Sequence, residues 1–94
     1  TYIYDRKAGT LTHFYTTRPE LEGAPLQPMH PVEIASRDGL TLPSYLTLPP
    51  GSDADGDGKP EKAVPMVLLV HGGPWARDSF GFNTIHQLLA NRGY

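Results

Sequence analysis

The stretch that decides the fold is Met66-Val67-Leu68-Leu69-Val70-His71-Gly72-Gly73-Pro74. Its first five residues are apolar without alternation, the pattern of a strand buried on both faces in a largely parallel sheet. The two glycines after it let backbone approach a ligand with no Cβ in the way and turn an amide outward. Beyond Trp75-Ala76-Arg77-Asp78-Ser79, helical spacing begins: Ile85, Leu88 and Leu89 share one face, Asn83 stands where a cap accepts from the first turn, and Gly93 suits a left-handed C-terminal residue. Strand, glycine loop and helix is the predicted order. Read from these residues alone, Gly72-Gly73-Pro74 is either an ordinary tight turn or a cradle for an oxyanion.

Upstream, Val32 and Ile34 alternate with polar neighbours, Asp38-Gly39 predicts a two-residue turn of the primed type, and Leu40, Leu42, Leu46 and Leu48 fall on one parity. These features predict a hairpin. Pro43 donates nothing to a ladder, so it needs an edge, a bulge or an outward amide position. Before this hairpin lies a crossing over 18–31, in which Pro19, Pro25, Pro28 and Pro31 remove four donors. Earlier still, 2–5 and 11–16 are β-favouring runs separated by Arg6-Lys7-Ala8-Gly9, a candidate hairpin.

Composition narrows the function. Of 94 residues, 8 are Lys or Arg and 10 are Asp or Glu, a formal charge of −2 that excludes a basic nucleic-acid-binding arm. Absence of cysteine removes disulfides, thiolate nucleophiles and cysteine-ligated metals together. The longest apolar run, 66–70, is far below the ~20 residues that span a bilayer, so no membrane segment is expected. Ten glycines and ten prolines point to a chain rich in loops. The start at Thr1 shows neither an initiator Met nor a signal-peptide layout, and the end falls just past a helix, so the chain reads as a piece of a longer protein with one small core. The residues do not specify a compartment.

The stretch VLLVHGGPWARDSFGFNTIHQLLANRGY, residues 67–94, resembles the prolyl oligopeptidase family of serine peptidases, in particular its acylaminoacyl-peptidase and dipeptidyl-aminopeptidase-like branch. Upstream, Tyr2-Ile3-Tyr4-Asp5-Arg6 resembles a strand from the last blade of that family's β-propeller. Ser36-Arg37-Asp38-Gly39-Leu40 and Tyr45-Leu46-Thr47-Leu48-Pro49 resemble the hairpin that opens its hydrolase domain. The resemblance implies an α/β class: a last propeller hairpin at 1–17, a proline-rich linker at 18–31, and the N-terminal part of an α/β-hydrolase domain at 32–94. It further implies a parent enzyme that hydrolyses short peptides through an acyl-enzyme, with no cofactor.

Carried over residue by residue, the family's oxyanion site falls on the Gly73 amide, with Gly72 giving room and Pro74 fixing the turn. Where some relatives have a tyrosine hydroxyl as donor, this sequence has His71, so the amide version is implied. His71 and Trp75 become candidate substrate-binding residues, although His71 also fits a loop residue bonded to a carbonyl and Trp75 a cover over the sheet end. The nucleophile belongs in a Gly-x-Ser-x-Gly elbow, and Ser36, Ser44, Ser52 and Ser79 all lack the flanking glycines. Nucleophile, Asp and His are thus expected outside these residues, leaving the 94-residue chain inactive by itself. Two rivals stay open: a carboxylesterase of the same fold, against which Pro74 and the upstream hairpin argue, and a non-catalytic binding module.

His13, His30 and His86 lack metal-site spacing and read as structural or exposed, and adjacent Arg77 and Asp78 as solvated. Asp53, Asp55 and Asp57 followed by Gly58 match the first half of a calcium loop, but position twelve is Val64 where a bidentate Glu is required, and Pro60 interrupts the loop. This segment is expected to be a solvated connection, and no metal site is assigned. Finally, 66–70 without parallel neighbours would be an unpaired apolar edge, so the isolated chain is expected to self-associate.

Overall fold

A computed structural model describes residues 1–94. The element order is β1 (Tyr2–Asp5), β2 (Thr10–His13), a 3₁₀ turn (Pro19–Leu21), β3 (Met29–Ala35), β4 (Thr41–Thr47) and α1 (Thr84–Ala90). The strands form two separate antiparallel hairpins, β1 with β2 and β3 with β4. No helix is long and apolar enough to cross a membrane.

The first hairpin is closed by Asp5, whose carboxylate accepts from the amides of Lys7 and Ala8 at 2.8 and 3.0 Å while the Gly9 amide donates to the Asp5 carbonyl. Tyr2 faces His13 across the ladder, their rings edge to face at 5.2 Å. Pairing stops at His13, so residues 14–16 of the expected second run lie outside the ladder. Both strands are exposed throughout.

The second hairpin runs from Met29 opposite Thr47 to Ala35 opposite Thr41. Its start shortens the expected crossing, since Pro31 is already inside β3. Ser36 donates to Leu40 at 2.8 Å, which makes Ile34 with Leu42, Val32 with Ser44 and His30 with Leu46 the other hydrogen-bonded pairs. Pro31 opposite Tyr45 and Pro43 opposite Glu33 then fall in the alternate pairs, whose amides point away from the partner. Both prolines are accommodated by register, without a bulge. The turn differs from the primed type expected at Asp38-Gly39: Gly39 has φ +86°, while no non-glycine residue has positive φ. A primed type I′ turn needs both central residues there; the chain instead makes an ordinary turn, Gly39 donating to Ser36 at 3.0 Å, with glycine in the left-handed position.

The largest departure from expectation is at residues 66–70. They form no strand, and Met66, Leu68 and Val70 are 77%, 74% and 72% exposed. The physical reason is partnership: a buried parallel strand needs a ladder on each side, and the chain has only two separate antiparallel hairpins, neither of which pairs with 66–70. Met66, Val67 and Leu69 instead line an apolar cleft together with Tyr45, His86 and Leu89.

The small core sits where β4 leaves the hairpin and meets α1: Leu48 is 6% exposed and Ala90 1%. Burial thus grows along the leucine parity of β4, from half-exposed Leu42 to Leu48. Helix α1 is set by its ends. The Asn83 side chain accepts from the amides of Ile85 and His86, and at the far end Gly93 (φ +88°) donates to Ala90 while Tyr94 donates to Leu89. Its expected apolar face is only partly used, because Ile85 and Leu88 remain about half exposed. Two polar contacts fix its rotation instead. His86 Nδ1 lies 3.0 Å from the Thr47 hydroxyl, and the Gln87 amide group bonds the main chain of Gln27.

Candidate oxyanion loop

The loop at 71–74 carries the residues the sequence singles out. Gly73 has φ +155°, and a Cβ there would lie 3.1 Å from the Trp75 nitrogen and 3.4 Å from Ala76. Glycine is therefore favoured by conformation, and a side chain would also press the Trp75 main chain by a few tenths of an ångström. A Cβ on Gly72 would meet nothing within 4 Å. The Gly73 amide donates to no main-chain or side-chain acceptor of the chain.

His71 Nδ1 lies 2.9 Å from the Gly72 carbonyl oxygen, so the ring braces the loop when that nitrogen carries its proton. Trp75 is 97% exposed. The structure thus gathers His71, Gly72 and Gly73 into one local unit and leaves Trp75 beside it in solvent.

Residues 77–82, just beyond the loop, are anchored on the crossing and the second hairpin. Arg77 reaches the Tyr45 hydroxyl at 3.5 Å, Phe80 leans on Tyr45 at 5.9 Å between ring centroids, and the Gly81 amide donates to Met29 Sδ. Arg18 sits 5.4 Å from the centre of the Phe82 ring, a cation–π contact from the start of the crossing. Arg77 is therefore tied to the hairpin as well as solvated. The remaining histidines have structural partners: His13 lies 3.2 Å from the Thr16 hydroxyl, and His30 lies 3.8 Å from Asp53. The Gln27–Gln87 and Thr47–His86 anchors are not foreseen from the sequence, because they join residues 60 and 39 positions apart and leave no local signal.

The glycine loop, its Gly73 amide unbonded, lies between the β3–β4 hairpin and the capped helix α1. Dipeptidyl aminopeptidase BIII of Pseudoxanthomonas mexicana is 66% identical to the chain over 93 residues, which is 99% of this chain and 14% of that protein. Dipeptidyl peptidase family member 6 of Caenorhabditis elegans is 38% identical over 107 aligned residues, again 99% of this chain and 14% of that protein. The chain belongs to the prolyl oligopeptidase family, in its dipeptidyl-peptidase group. It spans about a seventh of the length of these two relatives. No family model matches the chain, and no solved structure matches it.

Proposed function

We propose that this chain supplies the oxyanion loop of a serine-type dipeptidyl peptidase, within the first part of an α/β-hydrolase domain, and that β1 and β2 belong to a preceding β-propeller. The observation that carries this reading is the Gly73 amide: unbonded, held at a φ that side chains rarely adopt, and followed by a segment tied to the hairpin.

In acyl transfer, a serine hydroxyl attacks the scissile carbonyl, a histidine takes its proton, and the carbonyl oxygen gains negative charge in the tetrahedral intermediate. A donor aimed at that oxygen is worth about 2.7–4 kcal/mol, because charge develops there only as the carbonyl is attacked. The Gly73 N–H is that donor in this reading, Gly72 leaves room for the oxygen, and His71 keeps the loop in shape. His71 and Trp75 border the substrate. Serine, histidine and aspartate come from the rest of the whole protein, so residues 1–94 alone hydrolyse nothing. The substrates are short peptides from which an N-terminal dipeptide is released, as the names of the relatives suggest. No cofactor takes part in these steps.

The test uses the whole protein that carries this chain. A fluorophosphonate probe is expected to label it covalently at one serine, and dipeptidyl amides with a free amino end are expected to be cleaved. A folded protein that never labels overturns the serine-enzyme reading and leaves a binding module. Cleavage of simple esters with no cleavage of peptide amides overturns the peptidase reading in favour of an esterase.

A further inference from the structure

We propose that residues 53–61 form a binding site for a divalent cation of the calcium class. This inference is independent of the peptidase reading, since it concerns another loop and a different chemistry. Asp53, Asp55 and Asp57 each bring a carboxylate oxygen within 4.8 Å of the others. Calcium binds oxygens at about 2.3–2.6 Å, so ligand atoms around one ion lie up to roughly 5 Å apart. The spacing of the three carboxylates therefore fits one ion among them.

The observation that asks for a cation is Asp53 itself. Its side chain is only 9% exposed, its Oδ2 accepts from the Gly58 amide at 3.0 Å, and its Oδ1 is buried with no hydrogen-bond partner. His30 does not answer that oxygen: its Nε2 stands 3.8 Å from Oδ2. A buried carboxylate oxygen without donor or counter-charge is among the costliest groups to leave unmatched. A water molecule would satisfy one lone pair without balancing charge. Asp55 and Asp57 add two further carboxylates, and the lysine that touches the cluster, Lys59 on Asp57 at 3.2 Å, is 81% exposed. The three clustered donors are carboxylate oxygens, which favour a hard cation, and the one nitrogen beside them, His30 Nε2, is already set against Asp53 Oδ2 at 3.8 Å.

The objection that the sequence raises to this loop is the missing acid at position twelve, Val64. The structure weakens that objection without removing it. Glu61 occupies position nine and is drawn back over the loop, accepting from the Ala54 amide at 2.6 Å. Gly58 at position six is buried against β3, where a Cβ would meet the His30 ring at 3.0 Å. A site without the bidentate twelfth ligand belongs in the weak class, with Kd of about 10⁻⁴–10⁻³ M. An ion there would fasten the connection between the end of β4 and the apolar segment that follows.

The experiment is calorimetric titration of the chelator-stripped whole protein with calcium chloride, beside the Asp55→Asn/Asp57→Asn variant. Both residues are exposed, so the variant is expected to keep the fold. The wild type should bind one more calcium per chain than the variant, or bind it at least ~10-fold more tightly, and only the wild type should gain melting temperature from this site in millimolar calcium. Lys59→Met, which removes the internal competitor, should tighten binding. Equal binding by wild type and double variant, or no binding up to 10-fold above the weak-class Kd, overturns the proposal and leaves Asp53 hydrated. Should the double variant unfold, Asp55→Asn alone carries the same comparison. No outcome of this titration bears on peptide cleavage.

Discussion

Gln87 of α1 holds both main-chain groups of Gln27: its Oε1 accepts from the Gln27 amide at 2.9 Å and its Nε2 donates to the Gln27 carbonyl at 2.8 Å. The proline-rich crossing is thereby clamped to the helix that follows the glycine loop, as a neighbouring strand would clamp it. Gln87→Ala should leave two partly buried backbone groups unmatched, at a cost of about 1.5–3 kcal/mol to local stability. Hydrogen exchange over residues 84–94 of the whole protein should then be roughly 10- to 100-fold faster. Unchanged exchange would show that the clamp contributes nothing.

Asn83 satisfies two orphan donors at the start of α1, those of Ile85 and His86. Asn83→Ala should weaken the helix by about 1 kcal/mol, whereas Asn83→Asp should be nearly neutral. Helix exchange rates in the two variants check this, and equal rates would refute it.

Gly73 and Gly72 should respond differently to the same methyl. At Gly73 the Cβ meets main chain at 3.1 Å on a backbone that disfavours side chains, while at Gly72 it meets nothing. Under the proposed function, Gly73→Ala should displace the donor and lower kcat roughly 100- to 1,000-fold with little change in KM. Gly72→Ala should cost less. Steady-state kinetics on a dipeptidyl amide decide, and an active Gly73→Ala variant would remove the amide from the mechanism.

The amides of Ala8 and then Lys7 hold the Asp5 carboxyl below its ordinary range. A lowered folded-state pKa stabilises the turn above the unfolded value of about 3.9, and that contribution is lost as pH falls through the folded value. The β1–β2 turn should therefore loosen below pH ~3.9, and Asp5→Asn should flatten that dependence. Amide chemical shifts of residues 7–9 against pH report it. A turn equally ordered at pH 2 would contradict the prediction.

Residues 66–70 should make the isolated 94-residue chain self-associate, since they combine β-favouring side chains with high exposure and no ladder. Sedimentation should show species larger than 10.3 kDa, and Leu68→Lys should shift them toward the monomer. A wild-type monomer at high concentration would refute this.

Much of the local architecture is legible in the sequence because a few neighbouring residues decide it. Asn83 and Gly93 mark the helix ends through bonds spanning two to five positions, and the leucine parity of β4 foretells burial that ends at Leu48. The positive φ of Gly39 is legible too, but the turn type is not, since it depends on Asp38 keeping a negative φ. Of the candidate site, His71, Gly72 and Gly73 can be named from the sequence. The orphaned oxygen of Asp53 cannot, because its burial comes from the loop folding back on itself.

The positions of turns, caps and helix are written into the order of residues, because φ preferences and donors or acceptors a few bonds away set them. The contacts between those elements are settled only when the chain closes on itself. The apolar run 66–70 stays outside any sheet for lack of a ladder, and α1 turns His86 and Gln87 inward rather than Ile85 and Leu88. Hydrophobicity has no direction and marks which residues seek burial. The partner is chosen by groups distant along the chain, such as Thr47 and Gln27, whose directional hydrogen bonds fix the orientation.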